Sequence, residues 1–387
     1  MSADTAVAND LSTLTKRTIQ MASLVATVMV VGIHYKTDVP DSPSFQDATW
    51  NQVLQEFWFG GIARVAVPMF SLIAGLLYFR SDDGTFTCYR KKFFQRCRTV
   101  LFPYFIVASI AMTSWLAIHR LRSDSVDMGA FEFLTMWLVR PPAEQLWFLR
   151  DLMVLVAIAP LIRWATQSRT HQAVSITALM TAWTTNFQPF PIIAGWHLIH
   201  IETLLFFTIG CCCASQVQWV NRVPEWRNSV TISVAGLWFS LVAIRVWMRP
   251  DFDIWYTDVY DFPNLIVHQL SILVGCFALM AIASRIDSHR LQCWSGASFF
   301  VFLVHEFPLR AAIELAVERI GDPALSCWLV FPGVVIGCYA FALLTSKRFP
   351  VAFALITGGR TPAGAGKLIV ETTRGVSTNN TAEQVAS

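Results

Sequence analysis

The sequence predicts an all-α integral membrane protein, a bundle of about ten transmembrane helices with both termini in the cytosol. Hydrophobic residues make up 55% of the 387 residues, and charged residues make up only 14%. Soluble domains usually carry ~25% charged residues, so this chain has too little polar surface to cover its apolar side chains in water. The net charge of +3 is small and scattered, and it gives no indication of a nucleic-acid partner.

The apolar segments have the length that a bilayer requires, because a spanning helix needs ~20 mostly apolar residues. In chain order the predicted spans are 18–35, 57–79, 94–118, 145–162, 172–187, 197–213, 229–248, 264–284, 293–313 and 324–345. The fifth is short and polar, so it could be tilted or re-entrant instead. The predicted domains are a cytosolic segment at 1–17, a transmembrane domain at 18–345 and a disordered cytosolic tail at 346–387.

The orientation follows from the basic residues of the loops. With the N-terminus inside, the cytosolic segments carry roughly nineteen Lys and Arg residues and the outer loops about six, as the positive-inside rule requires. The nine cysteines lie inside or within the spans, a distribution typical of free thiols. Both termini are therefore predicted to be cytosolic, provided that the fifth span crosses fully.

Several spans carry polar side chains at a similar outer-leaflet depth, where such groups are costly and usually functional. These residues are His34, Arg64, Trp147, Arg150, Asp151, His305 and Glu306. Four separate spans contribute them, which favours a water-filled pocket over unrelated accidents. The alternative is that Arg150 and Asp151 only neutralise charges on neighbouring helices.

His34 is the strongest candidate for chemistry in this set. It lies near the outer end of the first span, where a neutral imidazole can act as a general base toward a hydroxyl that arrives from outside. Asp38 follows about one turn later and could accept the other ring proton if the helix continues. The alternative is a histidine that only marks the membrane interface.

A basic stretch on the inner side is a candidate anion site. Five Lys and Arg residues lie between positions 90 and 98, where the third span begins. Arg96 and Arg98 fall within the helical stretch that leads to Pro103, and the planar guanidinium suits bidentate contacts with phosphate. The alternative is a purely topological role with attraction to anionic lipids.

No metal site is predicted from the histidines. His197 and His200 share a helical face, but Glu202 turns away, and the spacing does not match the HExxH pattern of zinc enzymes.

Several stretches carry a resemblance to a known family. They are VMVVGIHY at 28–35, RVAVPMFSLIAGLLYFR at 64–80, RKKFFQRCRTVLFPYF at 90–105, LWFLRDLMVLVAIAPLI at 146–162 and FFVFLVHEFPL at 299–309. In these stretches, and in their order, the chain resembles the membrane-bound acyltransferase family 3, which O-acylates sugars and other hydroxyl compounds. The pattern differs at two positions. Ser23 stands where the family commonly has Arg, and Gln95 interrupts its Arg-x-x-Arg.

The resemblance implies an O-acyltransferase, most simply an O-acetyltransferase, of the bacterial inner membrane. The implied co-substrate is a cytosolic acyl-CoA such as acetyl-CoA, with no bound cofactor, and the implied acceptor is an extracytoplasmic or lipid-linked saccharide. His34 is implied as the catalytic residue, acting as a base or as a relay of the acyl group, and Arg96 and Arg98 as donor-binding residues. The implied acceptor pocket comprises Arg64, Trp147, Arg150, His305 and Glu306. Membrane lipids are expected partners, and the oligomeric state is not predicted.

Two other functions use the same residues without covalent chemistry. One is a transporter or flippase for a lipid-linked or small anionic molecule, although the internal repeats that many transporters carry are not evident. The other is a non-catalytic partner in polysaccharide assembly.

Overall fold

About three quarters of the described chain is helical, as expected of a membrane protein built from apolar segments. The computed structural model describes residues 10–40, 42–123, 126, 128–193, 195–251, 261–310, 313, 319 and 321–360. All nine cysteines fall within these ranges and are free thiols, which confirms the prediction made from their distribution.

The N-terminal third consists of three long helical segments. Helix α1 spans Thr13–His34, and α2 (Trp50–Gln55) runs through a π turn at Glu56–Gly61 and a 3-10 turn at Ile62–Val65 into α3 (Ala66–Arg80). Helix α4 (Phe86–Arg96) runs through a π turn at Cys97–Leu101 into α5 (Phe102–Leu121). The start of α1 is fixed by Ser12, whose hydroxyl accepts a hydrogen bond from the backbone amide of Thr15.

The rest of the chain alternates short and long helices. In order they are α6 (Ala130–Val139), a 3-10 turn (Glu144–Leu146), α7 (Trp147–Ala157), α8 (Ala159–Trp164), α9 (Arg169–Thr184), β1 (Ile192–Ile193), β2 (Trp196–His197), α10 (Ile201–Ala214), α11 (Val217–Arg222), a 3-10 turn (Val223–Glu225), α12 (Asn228–Met248), α13 (Phe262–Ala283), α14 (His289–Ser295), α15 (Ser298–Val304), α16 (Pro323–Arg348) and α17 (Pro350–Ile356). The two strands pair antiparallel, with Ile192 opposite His197 and Ile193 opposite Trp196.

Within the described residues, six helices are long and apolar enough to cross a membrane. They are Thr13–His34, Trp50–Arg80, Phe86–Leu121, Asn228–Met248, Phe262–Ala283 and Ala324–Arg348. A seventh span results if the bent pair Ile201–Ala214 and Val217–Glu225, which turns by 96°, is counted as one. Large apolar side chains such as Trp247, Leu329 and Ile336 are exposed on these helices, as expected of a surface that faces lipid. The chain is thus an all-α membrane protein, while the number ten and the orientation stay predictions.

Three predicted spans are shorter or interrupted. The segment 145–162 is divided into α7 and α8, because Pro160 lacks an amide donor and its ring conflicts with the preceding turn. The fifth predicted span contains α9, which has 16 residues. The segment 293–313 is broken between α14 and α15 around Gly296. The serines on either side of the third break, Ser295 and Ser298, line a cavity within the bundle.

The predicted tail is helical in its first part. Residues 346–348 complete α16, and α17 follows directly as far as Ile356. The expectation of a disordered tail from residue 346 is therefore wrong up to Arg360, because apolar side chains of this segment such as Phe353 pack into the core. The predicted tail beyond Arg360 lies outside the described residues.

Helices α3 and α10 make the closest packing in the bundle, at two glycines. A Cβ atom on Gly75 would meet the carbonyl oxygen of Phe207, and one on Gly210 would meet the carbonyl oxygen of Leu72. The two backbones therefore touch where these glycines face each other, which is the way small residues allow helices to approach in membranes.

We expect the substitution Gly75→Leu to prevent stable folding, since overpacking a close contact costs ~1–3 kcal/mol or more. The measurement is the thermal midpoint and the monodisperse yield of the purified protein in detergent. Gly337→Leu on α16 is the matched control, because a Cβ atom there meets nothing within 4 Å. Equal midpoints for the two variants would contradict the packing role of Gly75.

Candidate active site

Two histidines from distant parts of the chain meet at the end of the bundle that is predicted to face outward. His34 is the last residue of α1, and His305 follows the last residue of α15. Their ring centroids lie 5.2 Å apart with the planes tilted by 58°. His305 is fully buried, whereas His34 is partly exposed. Of the two rings, His34 is thus the one that a substrate can reach.

The hydrogen bonds of His305 define its tautomer. Its Nδ1 lies 3.1 Å from the carbonyl oxygen of Val301 and 2.9 Å from that of Phe302. Carbonyl oxygens only accept, so Nδ1 carries the proton and Nε2 is left as an acceptor. Nε2 is buried and has no hydrogen-bond partner among the described residues. The structure thus provides a proton acceptor beside His34.

The chain that leaves α1 is fixed by polar contacts with other segments. The Tyr35 hydroxyl donates to the carbonyl oxygen of His305 at 2.7 Å, which ties the two histidine segments together. The side-chain oxygen of Gln55 accepts from the amides of Thr37 and Asp38. The carboxylate of Asp38 accepts from Asn51 and Gln52.

These contacts correct the expected partner of His34. Helix α1 ends at His34 and does not continue through Asp38, so the Asp38 carboxylate turns to the start of α2. The neighbour of the His34 ring is His305 instead.

A buried ion cluster supports the same region. The Glu56 carboxylate bonds Arg245 of α12 through one oxygen and Lys36 through the other, the latter at 2.8 Å. Glu56 and Arg245 are 1% and 2% exposed. Removing one partner would leave a buried charge uncompensated, which is strongly destabilising. The cluster therefore fixes the ends of α1 and α2 against α12.

Three further charged side chains surround the histidines. The charges of Arg64 and Arg310 both act on the His34 ring. Arg310 pairs with Glu306 at 3.3 Å, and the other carboxylate oxygen of Glu306 accepts from the Phe307 amide at 2.6 Å. The positive groups near His34 are suited to stabilising negative charge that develops on a reacting oxygen.

Arg150 and Asp151 form a separate network that braces the β-hairpin. Arg150 donates to the carbonyl oxygens of Val139 and His197 and to the Asp151 carboxylate. Asp151 is fully buried and accepts from the amide and Nδ1 of His200 and from the Thr203 hydroxyl. A carboxylate with this many donors holds the hairpin and the start of α10 against α7.

An aromatic surface covers this network. The Trp147 ring lies 4.6 Å from the His200 ring and 6.5 Å from the Trp196 ring, measured between centroids. These side chains are only partly buried, so their faces remain accessible. Two residues before Trp147, the Gln145 amide donates to the carbonyl oxygen of Leu303 in α15, which connects the start of α7 to the helix that precedes His305.

A cavity of about 280 Å³ lies within the bundle on the other side of the histidines. Its wall contains Ser23 and Thr27 of α1, and Thr27 is two helical turns before His34. Arg96 and Arg360 line the same cavity. Arg98, by contrast, is exposed and does not line it.

Three phenylalanines of the cavity wall pack against one another near His305. The ring centroids of Phe70, Phe148 and Phe302 form a nearly equilateral triangle with sides of 6.0, 6.1 and 6.2 Å. All three line the cavity, and the Phe302 ring lies 6.0 Å from the His305 ring. The cavity wall thus comes closest to the two histidines at Phe302, whose ring neighbours that of His305. We call them the Phe triangle.

The chain matches a known protein family over most of its length. The model of the acyltransferase domain of the acyltransferase 3 family matches residues 24–347, which cover His34, Arg96, Arg150 and His305. The chain belongs to this acyltransferase family. The resemblance noted in the sequence is thereby confirmed, and the protein is an acyltransferase.

One curated relative extends over nearly the whole acyltransferase chain. The succinoglycan biosynthesis protein ExoH of Rhizobium meliloti (strain 1021) is 25% identical over 384 residues, covering 94% of this chain and 97% of the relative. No solved structure matches the chain significantly.

The predicted site residues of this acyltransferase fall into three groups. His34, Arg64, His305 and Glu306 come together at the end of α1. Trp147 and Arg150 lie in the neighbouring hairpin network, where the guanidinium of Arg150 is engaged by carbonyl oxygens. Arg96 faces the cavity, while Arg98 lies on the exposed side of its helix. Their catalytic and binding roles stay predictions.

The sequence analysis missed Arg360, Gln145 and the Phe triangle. Arg360 follows Gly358 and Gly359, a signal for a helix C-terminus that positions the next residue. Phenylalanines are too frequent in this chain, which has 29, for three of them to attract notice.

Among the described residues, Asp82, Asp83 and Cys88 approach closely enough to bind a cation. Asp82 is already ion-paired with Arg163 and lies 3.7 Å from Lys92. We therefore assign no metal to this group.

Proposed function

We propose that this acyltransferase moves an acyl group, most simply acetyl, from a cytosolic acyl-CoA to a hydroxyl of an extracytoplasmic or lipid-linked saccharide in the bacterial inner membrane. The observation that carries the proposal is the order of features along one path. Arg96 lines the cavity, the Phe triangle forms another part of its wall, and Phe302 of the triangle neighbours His305, which in turn neighbours His34. The name of the relative ExoH connects this family to the biosynthesis of a glycan, which supports a saccharide acceptor.

In the proposed reaction His34 is the general base. Its ring nitrogen takes the proton of the acceptor hydroxyl as the hydroxyl oxygen attacks the thioester carbonyl. The C–S bond then breaks, the ester is released, and the CoA thiolate takes up the proton. The Nε2 atom of His305 is an acceptor next to His34, so it can hold the ring in the required tautomer or receive its proton.

The charges around the histidines suit the tetrahedral intermediate of acyl transfer. Its oxygen carries a negative charge, and Arg64 and Arg310 are the cations that act on this position. The aromatic surface of Trp147 and Trp196 is suited to the apolar faces of a sugar ring and lies beside the same region. In this proposal the Arg150 and Asp151 network positions that surface, without touching the reacting atoms.

We expect Arg96→Gln to raise the KM for acyl-CoA by about 10-fold or more, since charge-assisted hydrogen bonds contribute ~1.5–3 kcal/mol. Arg98→Gln should leave it close to the wild-type value, because Arg98 is exposed and outside the cavity. The measurement is the donor dependence of the purified enzyme at saturating acceptor. Equal effects of the two substitutions would show that the basic stretch acts only through its total charge.

The proposed function is tested by the acyl content of surface polysaccharide from a deletion strain, measured by mass spectrometry. Loss of an acetyl or succinyl substituent, restored by the wild-type gene but not by the His34→Gln gene, is the expected result. Loss of the polymer with unchanged substituents would instead favour transport of a lipid-linked precursor. Unchanged polymer and substituents would remove saccharide as the acceptor.

A further inference from the structure

Arg360, which follows α17, lines the cavity within the bundle. Helix α17 ends in a Schellman motif, in which the Gly359 amide donates to the carbonyl oxygen of Ala354 and the Gly358 amide approaches that of Leu355. Gly358 and Gly359 have φ values of +64° and +86°, which side chains rarely tolerate. The backbone thus reverses at these glycines, and Arg360 points back toward the start of α5.

Arg360 is held in a defined position there. Its Nη1 donates to the carbonyl oxygen of Thr99 at 2.7 Å and to that of Thr357 at 2.9 Å. The guanidinium carbon lies 3.9 Å from the centroid of the Phe299 ring. The Thr357 hydroxyl in turn donates to the carbonyl oxygen of Arg360 at 2.6 Å. None of these partners is a carboxylate, so the positive charge of Arg360 is not neutralised by them.

Arg96, the other cation that lines the cavity, is likewise not neutralised by a carboxylate among the described residues. Within the described ranges, neither Arg96 nor Arg360 forms an ion pair with a carboxylate. Burial, followed by repulsion from Arg96, lowers the pKa of Arg360 to about 10, which still leaves the group charged at neutral pH. Two like charges that face one cavity repel each other unless an anion lies between them.

A neutral donor completes the arrangement. Tyr78 lines the same cavity and is 4% exposed, and its hydroxyl has no hydrogen-bond partner among the described residues. Buried hydroxyls are normally hydrogen-bonded, so an unpartnered one beside two cations indicates an oxygen-rich ligand. The chemistry of the three groups fits a phosphate, which accepts several bonds from guanidinium and hydroxyl donors.

We infer that Arg360, with Arg96 and Tyr78, binds a phosphate group of the acyl donor, so that the C-terminal segment completes the donor site. This inference rests on the proposed function, because it assumes a phosphate-bearing thioester such as acyl-CoA. The apolar wall that follows toward the Phe triangle suits the pantetheine arm, which carries the thioester away from the phosphates. Ser23 and His34 are eleven residues apart on α1, or ~16 Å along a helix, which gives the scale of that path.

The test compares the binding of CoA and of pantetheine to the purified full-length protein in phosphatidylcholine nanodiscs, by calorimetry. Pantetheine lacks the phosphates, so it reports on the rest of the site. Arg360→Gln should weaken CoA binding by about 10- to 100-fold and leave pantetheine binding unchanged. Arg360→Lys, which keeps the charge, should recover part of the loss. Arg348→Gln, at an exposed arginine of α16, is the matched control and should bind CoA like the wild type.

Other outcomes overturn the inference. Unchanged CoA binding by Arg360→Gln would do so and would leave the proposed function intact. Equal weakening of CoA and pantetheine would indicate that Arg360 only holds the segment in place. If Arg360→Gln keeps its CoA affinity but loses stabilisation by added phosphatidylglycerol, the anion is a lipid headgroup. A wild-type protein that binds no CoA would overturn this inference and the proposed donor together.

Discussion

His34→Gln is expected to reduce acyl transfer by ~100- to 10,000-fold, the usual effect of removing a general base. Gln has a similar size and retains hydrogen bonding, but its amide cannot take a proton at neutral pH. The side chain lies at the end of α1 and is partly exposed, so the substitution should leave insertion and accumulation unchanged. The measurement is the rate of ester formation by purified protein at saturating donor and acceptor.

His119→Gln is the matched control, since His119 also lies near the end of a long helix, but its ring contacts Trp115 of the same helix α5, with the centroids 4.3 Å apart. It should be as active as the wild type. A His34→Gln protein that accumulates normally and acylates at a near wild-type rate would eliminate the catalytic role of His34.

His305→Asn should lower the rate by about 100-fold without preventing folding, if Nε2 of His305 acts on His34. The Asn amide can replace Nδ1 as the donor to the carbonyl oxygens of Val301 and Phe302, but it provides nothing at the position of Nε2. The substitution therefore separates the structural nitrogen from the proposed functional one. The measurement is kcat, together with the thermal midpoint of the same preparation.

The double variant shows whether the histidines act as a unit. Groups that handle the same proton are non-additive, so His34→Gln with His305→Asn should be no slower than His34→Gln alone. Additive losses would indicate that His305 contributes independently, for example by packing.

The meeting of His34 and His305 could be anticipated from the sequence by depth. Each follows an apolar stretch of predictable length, and depth in a membrane is one of the few coordinates that a sequence gives directly. Whether Asp38 also reaches His34 could not be anticipated in the same way. Whether α1 continued through Asp38 depended on Gln55, whose side chain captures two backbone amides from a different segment.

The inner site shows a second limit of sequence analysis. Arg96 and Arg98 are two residues apart, so on a helix they point about 200° away from each other, and only the packing of α4 decides which one faces the cavity. The two glycines mark a helix end before Arg360, but the composition after Gly358 resembles that of a disordered tail and conceals the role of the arginine. It lines the cavity together with Ser23, the position at which the sequence departs from the family pattern.

The Phe triangle also matters to the cell's energy supply. An energised membrane carries a voltage, and one elementary charge that crosses 100 mV releases ~2.3 kcal/mol. A continuous column of water from Arg96 to the histidines would conduct protons and discharge that voltage. The three rings of the Phe triangle pack against one another where the cavity wall comes within 6.0 Å of the His305 ring, so we expect the enzyme to be an electrical insulator between turnovers. In the proposed reaction each thioester that passes the rings must displace them without letting ions follow, so the seal has to be tight as well as quick to open.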